Sequence, residues 1–257
     1  MDSLDLQAPP PLIASDSRQP RVWKFWGTAL WGLFLFAAMF AGQLAVLGYL
    51  MLRSPDPFDM SSATTIIANG LTISLSVIMG VPAVAVACWI AIRPTRTSYA
   101  DYLALRGTTF KNVGLGIISL FLLVACWDTL SRALGREITP GFMGDVLKSA
   151  QGEGALWLLV VAFCIAAPVS EEFMARGFLY RGWSESFLRP AGAIVLSSLA
   201  WTSLHLQYDW FFFCEVFSIG VLLGYWRYRT GSTWLTILLH GLNNLAATVQ
   251  TFLLSGS

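Results

Sequence analysis

Two adjacent carboxylates and a guanidinium interrupt a long apolar stretch of this sequence. Glu171, Glu172 and Arg176 follow the uncharged run 155–170. A charged side chain within a bilayer is costly, so its presence in such a segment predicts a functional site. Glu172 and Arg176 are four residues apart and can pair on one helical face, whereas Glu171 lies about 100° further round the helix. The two carboxylates are therefore expected to have different roles.

Two later apolar segments contain polar groups that could act with these carboxylates. His205 and His240 are the 2 histidines of the chain, and Asn244 shares a helical face with His240. A carboxylate beside a neutral histidine can hold and deprotonate a water molecule. A second imidazole and a carboxamide can donate hydrogen bonds to the oxyanion formed when that water attacks a carbonyl group. This combination favours peptide-bond hydrolysis without a covalent intermediate.

Two other chemistries remain open for the same region. Glu171, His205 and His240 could hold zinc with water in the open coordination position, although the HExxH spacing is absent. Ser170 or Ser203 could act as a nucleophile, but no recognised nucleophile motif surrounds either residue. We therefore expect no required cofactor, with zinc as the alternative.

The composition predicts that these residues lie within a membrane. Of the 257 residues, 56% are hydrophobic and 12% are charged. Several uncharged runs are long enough to cross a bilayer, so we predict an all-α fold, a polytopic bundle of transmembrane helices. The net charge of +1 provides no argument for nucleic-acid binding. The 4 cysteines are scattered singly, without the spacing of a disulfide framework.

Apolar runs divide most of the chain into about seven membrane spans. Residues 1–22 predict a disordered cytoplasmic tail, and residues 23–257 a transmembrane domain with its protease-like core at about 112–254. Residues 135–154 are expected to be a loop, and an eighth helix within 98–111 or 137–150 is the alternative. The predicted spans are 25–52, 66–92, 112–134, 155–182, 191–207, 210–228 and 232–254.

The distribution of positive charge predicts which side each loop occupies. With a cytoplasmic N-terminus, eleven of the 16 Lys and Arg residues fall on the cytoplasmic side and four on the outer side. Glu171, His205, His240 and Asn244 then lie roughly 14–21 Å from the cytoplasmic helix ends, at 1.5 Å per residue. Side chains from three helices are therefore expected to share one buried cavity.

Three short motifs at these positions resemble those of a known family. Glu171-Glu172-x-x-x-Arg176, Trp201-x-x-x-His205 and His240-x-x-x-Asn244 are similar to the motifs of CPBP intramembrane proteases. That family includes CAAX prenyl proteases and bacteriocin-processing or immunity proteins. The resemblance covers about residues 112–250. One departure is the tryptophan at the position where the family usually has phenylalanine.

The resemblance implies specific roles for these residues. Glu171 would activate water with help from His205, while His240 and Asn244 would stabilise the oxyanion. Glu172 and Arg176 would be a structural pair. We expect an integral protein of the bacterial inner membrane that contacts lipid and cleaves a peptide or protein substrate, whether lipidated or membrane-anchored.

The same residues also have simpler interpretations. Glu171 could be a second structural partner for an arginine, and His205 a core histidine with satisfied hydrogen bonds. His240 and Asn244 could form an interhelical clamp. The chain would then be a non-catalytic scaffold, a bacteriocin-immunity protein, or a carrier that uses the same polar cluster.

Overall fold

The described part of the computed structural model, residues 21–53 and 66–255, is helical and contains no strand. This confirms the predicted all-α class. The expected tail lies almost entirely outside the described residues. The helices are α1 Phe25–Arg53, α2 Gly70–Ile92, α3 Tyr99–Tyr102, α4 Phe110–Ala133, α5 Gly141–Gly152, α6 Leu156–Ser184, α7 Arg189–Thr202, α8 Trp210–Thr230 and α9 Thr233–Ser255.

Five of these helices are long and apolar enough to cross a membrane, namely α1, α2, α4, α6 and α9. Their length and composition make this chain an integral membrane protein. Two predicted spans differ from these five. Helix α8 has 21 residues but carries Glu215, Arg227 and Arg229, and α7 has 14 residues, fewer than a simple crossing needs. The count of seven spans therefore stays a prediction.

Helix α6 is the central element of the bundle. More than half of its apolar window is buried, against a third or less for the other four candidate spans. Its side chains join two clusters of the core: Met174 and Phe178 pack in one, and Ala175 packs in the other. Because α6 also carries both glutamates, the acidic groups lie at the most enclosed position of the fold.

Close packing of α7 against α8 depends on two glycines. A Cβ atom on Gly220 would lie 3.0 Å from Trp201 Cε3, and one on Gly224 would lie 2.9 Å from Ile194 Cγ2. Small residues four apart allow helices to approach this closely within a membrane. The GxxxG pattern in α8 thus serves a contact within the chain.

The segment 135–154, expected to be a loop, contains helix α5. This expectation was wrong because α5 packs against the start of α2, a tertiary contact that local sequence does not encode. The backbone N–H of Gly70 donates to Ser149 Oγ at 3.0 Å. A Cβ atom on Gly70 would lie 2.6 Å from the backbone N of Ala150, so the two helices touch at this glycine.

Tyr102 and Asp128 each have a specific partner within the bundle. Tyr102, at the end of α3, is fully buried, with its ring stacked on that of Phe178 at 5.4 Å between centroids. Asp128 lies four residues before Arg132 in α4, a spacing that allows an ion pair. Instead its Oδ2 accepts a hydrogen bond from Gln250 Nε2 at 2.8 Å, and the described residues include no Asp128–Arg132 ion pair.

Candidate active site

Helix α6 carries both glutamates just before a wide turn. Regular α-helix covers Ala167–Glu172, and a π-helical segment follows at Phe173–Leu179. Pro168 lies four residues before Glu172. Its backbone nitrogen carries no hydrogen, so it cannot donate a hydrogen bond to the preceding turn. Such π segments insert extra backbone into a helix and are frequent at functional sites. Here the wide turn begins directly after the paired carboxylates.

Glu172 and Arg176 form a fully buried ion pair. Arg176 Nη1 donates to Glu172 Oε1 at 2.7 Å, and both side chains have no exposed surface. Arg176 Nη2 also donates to the backbone oxygen of Gly220 at 2.9 Å, which connects α6 to α8. The pair anticipated from the four-residue spacing therefore also joins two helices.

Glu172 has a second partner that the sequence did not indicate. Its Oε1 lies 3.0 Å from His240 Nδ1. A carboxylate held by an arginine can only accept hydrogen bonds, so Nδ1 of the imidazole must carry the hydrogen. The opposite ring atom, Nε2, lies 3.9 Å from Glu171 Oε2. Glu172 thus orients the ring of His240 with its free nitrogen towards Glu171.

Glu171 is bound by a tryptophan of α7. Trp201 Nε1 donates to Glu171 Oε2 at 2.6 Å. The Trp201 ring also meets the rings of His205 and His240 edge-on, at 5.2 Å between centroids in each case. This indole therefore contacts three of the predicted site residues.

His205 lies where α7 ends and not inside a regular helix. The expected helix 191–207 stops at Thr202, and Ser203–His205 forms a 3₁₀ turn. Among the described residues, His205 Nδ1 has no hydrogen-bond partner although it is buried. Its ring packs against Tyr208, and burial raises the pKa of that phenol to about 12. Tyr208 therefore offers a neutral hydroxyl at the edge of the site near neutral pH.

Asn244 is held by the backbone of α6. Its Nδ2 donates to the oxygen of Phe163 at 2.8 Å. Phe163 belongs to the first π segment of α6, Ala162–Ala166. A carboxamide nitrogen has two hydrogens, so the second remains available to another acceptor.

All four residues predicted to be catalytic line one cavity of about 660 Å³. Most of its other walls are apolar, including Val124, Phe142 and Ile219. Glu215 of α8 also faces this cavity. The structure therefore brings Glu171, His205, His240 and Asn244 around a single space large enough for a short peptide segment.

The alternatives raised above were a zinc site and a serine nucleophile, and the described residues form neither arrangement. Among the residues that the structure describes, no three His, Cys, Asp or Glu side chains lie close enough together to hold a metal ion. The hydroxyl of Ser170 donates to the backbone oxygens of Ala166 and Ala167, and that of Ser203 donates to Ala200. Within the described part of the chain, neither serine has an imidazole as its hydrogen-bond partner.

The sequence did not predict three features of the site: the hydrogen bond that Trp201 donates to Glu171, the presence of Tyr208, and the contact of Glu172 with His240. Trp201 and His205 are four residues apart, so a shared face near the carboxylates was predictable. Tyr208 gave no comparable signal, because it follows the turn that ends α7. The Glu172–His240 contact depends on how α9 packs against α6.

Comparison with known proteins agrees with the three motifs. Residues 153–246 match the family described as type II CAAX prenyl endopeptidase Rce1-like. The UPF0177 protein YbdI of Lactococcus lactis subsp. lactis (strain IL1403) is 30% identical over 132 residues, 51% of this chain and 66% of that protein, just under two thirds. No solved structure matches this chain. The match over residues 153–246 confirms that this part of the chain resembles CAAX prenyl endopeptidases, as the three motifs indicated.

Proposed function

We propose that this protein is an intramembrane endopeptidase in which Glu171 activates a water molecule. The observation that supports this most strongly is the convergence of Glu171, His205, His240 and Asn244 on one cavity. A carboxylate and an imidazole at the same wall can hold a water between them. The family of residues 153–246 makes a peptide or protein the expected substrate.

The proposed reaction begins with a water molecule bound between Glu171 and His205. Glu171 takes a proton from the water, and the oxygen of the water attacks the carbonyl carbon of the scissile peptide bond. The carbonyl oxygen becomes an oxyanion. Glu171 then returns the proton to the departing amine as the C–N bond breaks, so the products are a carboxylic acid and an amine.

His240 and Asn244 would stabilise the oxyanion in this reaction. Asn244 has one N–H that is not used by Phe163, and it can donate to the developing charge. His240 can donate through Nε2 when its ring carries both hydrogens, since Nδ1–H is directed at Glu172. The fixed orientation of both groups is what makes such donors effective, because they need not reorganise during the reaction.

A comparison of membrane peptides tests this proposal and identifies the substrate. Wild type, Glu171→Gln and Glu185→Gln are expressed at equal levels, and new peptide termini in the membrane fraction are measured by mass spectrometry. Glu185 is a suitable control because it lies on the surface near Arg181. We expect the same new termini with wild type and Glu185→Gln, and none with Glu171→Gln.

The opposite outcome would favour a non-hydrolytic protein. Identical termini in all three samples, or none with wild type, contradict an endopeptidase. A scaffold or an immunity protein would keep its cellular effect with Glu171→Gln. Zinc content and sensitivity to chelators, measured on the same purified protein, address the metal alternative directly.

A further inference from the structure

A tryptophan at the wall of the cavity holds one oxygen of the proposed base. Trp201 Nε1 donates to Glu171 Oε2 at 2.6 Å, a short hydrogen bond between a neutral donor and a carboxylate. Among the described residues, no group donates a hydrogen bond to the other oxygen, Oε1. The two oxygens of one carboxylate therefore have different surroundings.

The indole is itself fixed in place from several sides. Trp201 is 2% exposed, and the guanidinium carbon of Arg176 lies 4.6 Å from the centre of its ring. On α8, Gly220 packs closely against the ring, since a Cβ atom there would lie 3.0 Å from Trp201 Cε3, tighter than an ordinary van der Waals contact. A ring packed this closely cannot change rotamer without moving its neighbours.

We propose that Trp201 is a positioning residue that orients Glu171 so that Oε1 takes the proton from water. This inference rests on the function proposed above. An indole N–H can donate but cannot accept, so it fixes Oε2 without competing for the proton. Phenylalanine, the usual residue at this position in the family that the motifs resemble, has no such donor. In this chain the tryptophan adds an orienting hydrogen bond to the reacting carboxylate.

The substitution Trp201→Phe removes the donor and keeps an aromatic ring. Trp226→Phe is the matched control: Trp226 is also buried, and its Nε1 donates to Ser119 Oγ at 2.9 Å, away from Glu171. Both variants lose one indole hydrogen bond and a similar volume. Only the first should disturb the base.

The first measurement is independent of any substrate. The full-length protein is labelled with ¹⁵N at its indoles, and the Trp201 resonance is identified as the one missing from Trp201→Phe. In Glu171→Gln a carboxylate acceptor becomes a neutral amide, so the Trp201 indole proton should move upfield while that of Trp226 stays. If Trp201→Phe does not accumulate, the resonance cannot be assigned in this way. The proposal then still requires that one indole resonance, and only one, moves in Glu171→Gln. An unchanged indole spectrum overturns the contact, whatever the activity of the protein.

The second measurement uses a synthetic peptide that spans a bond cleaved by the wild-type protein. We expect Trp201→Phe to lower kcat about 10- to 100-fold with KM unchanged, because a hydrogen bond to a charged group is lost. Trp226→Phe should stay within about twofold of wild type. A raised KM with normal kcat would make Trp201 a substrate contact, and equal losses in both variants would make its role structural; either result overturns the proposal. If Glu171→Gln still cleaves, the proposed function fails even where the spectrum supports the contact.

Discussion

At the scale of single residues, Glu172 is the group on which the site's geometry depends. It accepts hydrogen bonds from Arg176 and from His240, and thereby connects α6 to the ring that faces Glu171. The adjacent glutamates have separate tasks: Glu172 orients, and Glu171 faces the cavity. The spacing of the residues predicted this division, but the link through His240 required the packing of α9.

Removing one partner of the buried Glu172–Arg176 pair should lower the stability of the protein strongly. Replacing Arg176 with methionine leaves Glu172 without its guanidinium in a dry environment, which costs about 3–5 kcal/mol. Arg181→Met is the matched control, because Arg181 also pairs with a glutamate four residues away, Glu185, but at 3.8 Å on the surface. That exposed pair contributes less than about 1 kcal/mol. Denaturant unfolding of the detergent-solubilised variants measures the loss of unfolding free energy in each. Equal losses would contradict the predicted difference between the buried and the exposed pair.

At the scale of elements, the contact between α7 and α8 sets the position of Trp201. Gly220 accepts a hydrogen bond from Arg176 through its backbone oxygen and leaves space for the indole. The position of Trp201 in the site therefore depends on a residue that has no side chain. Substitutions at this glycine are expected to act on the site indirectly.

Gly220→Ala tests the packing of these two helices. The new methyl group would lie 3.0 Å from Trp201 Cε3 and 3.2 Å from Arg176 Nη2, so both must shift. We expect a loss of about 1–3 kcal/mol in unfolding free energy. Gly48→Ala is the control, since nothing lies within 4 Å of its Cβ position. Comparable unfolding curves for both variants would contradict the tight contact.

How far the elements were predictable depended on their length. The long apolar helices α1, α2, α4, α6 and α9 follow from composition, because a bilayer demands about 20 apolar residues. Helix α5 was predicted only as an alternative, within 137–150, because its 12 residues include three glycines and gain their stability from packing on α2. The end of α7 at Thr202 was missed because no glycine or proline marks it. Short, packed elements depend on contacts that local sequence does not encode.

At the scale of the whole molecule, several connectors are tied together at one end of the bundle. The backbone N–H of Arg21 donates to the oxygen of Thr95 at 3.0 Å. Ser232 Oγ donates to the oxygen of Arg106 at 2.5 Å, and Thr233 N–H donates to that of Ala104 at 3.0 Å. The segment before α1, the link from α2 to α4 and the link from α8 to α9 therefore lie on the same side. The excess of basic residues predicts that this side is cytoplasmic.

Cysteine labelling tests that orientation. With the native cysteines replaced, Gly107→Cys and Glu137→Cys place single thiols at exposed positions in connectors at opposite ends of α4. A membrane-impermeant maleimide applied to intact cells should label Glu137→Cys and should label Gly107→Cys only after lysis. The reverse pattern would invert the predicted topology, and labelling of both before lysis would contradict a crossing by α4.

The most direct test of the proposed chemistry is the cleavage rate of purified Glu171→Gln reconstituted in lipid. Removing a general base lowers a rate by about 10²- to 10⁴-fold. We therefore expect peptide cleavage at least about 100-fold slower than wild type, with an unchanged unfolding temperature. A rate within about twofold of wild type, at an equal folded fraction, would show that this carboxylate does not activate the attacking water.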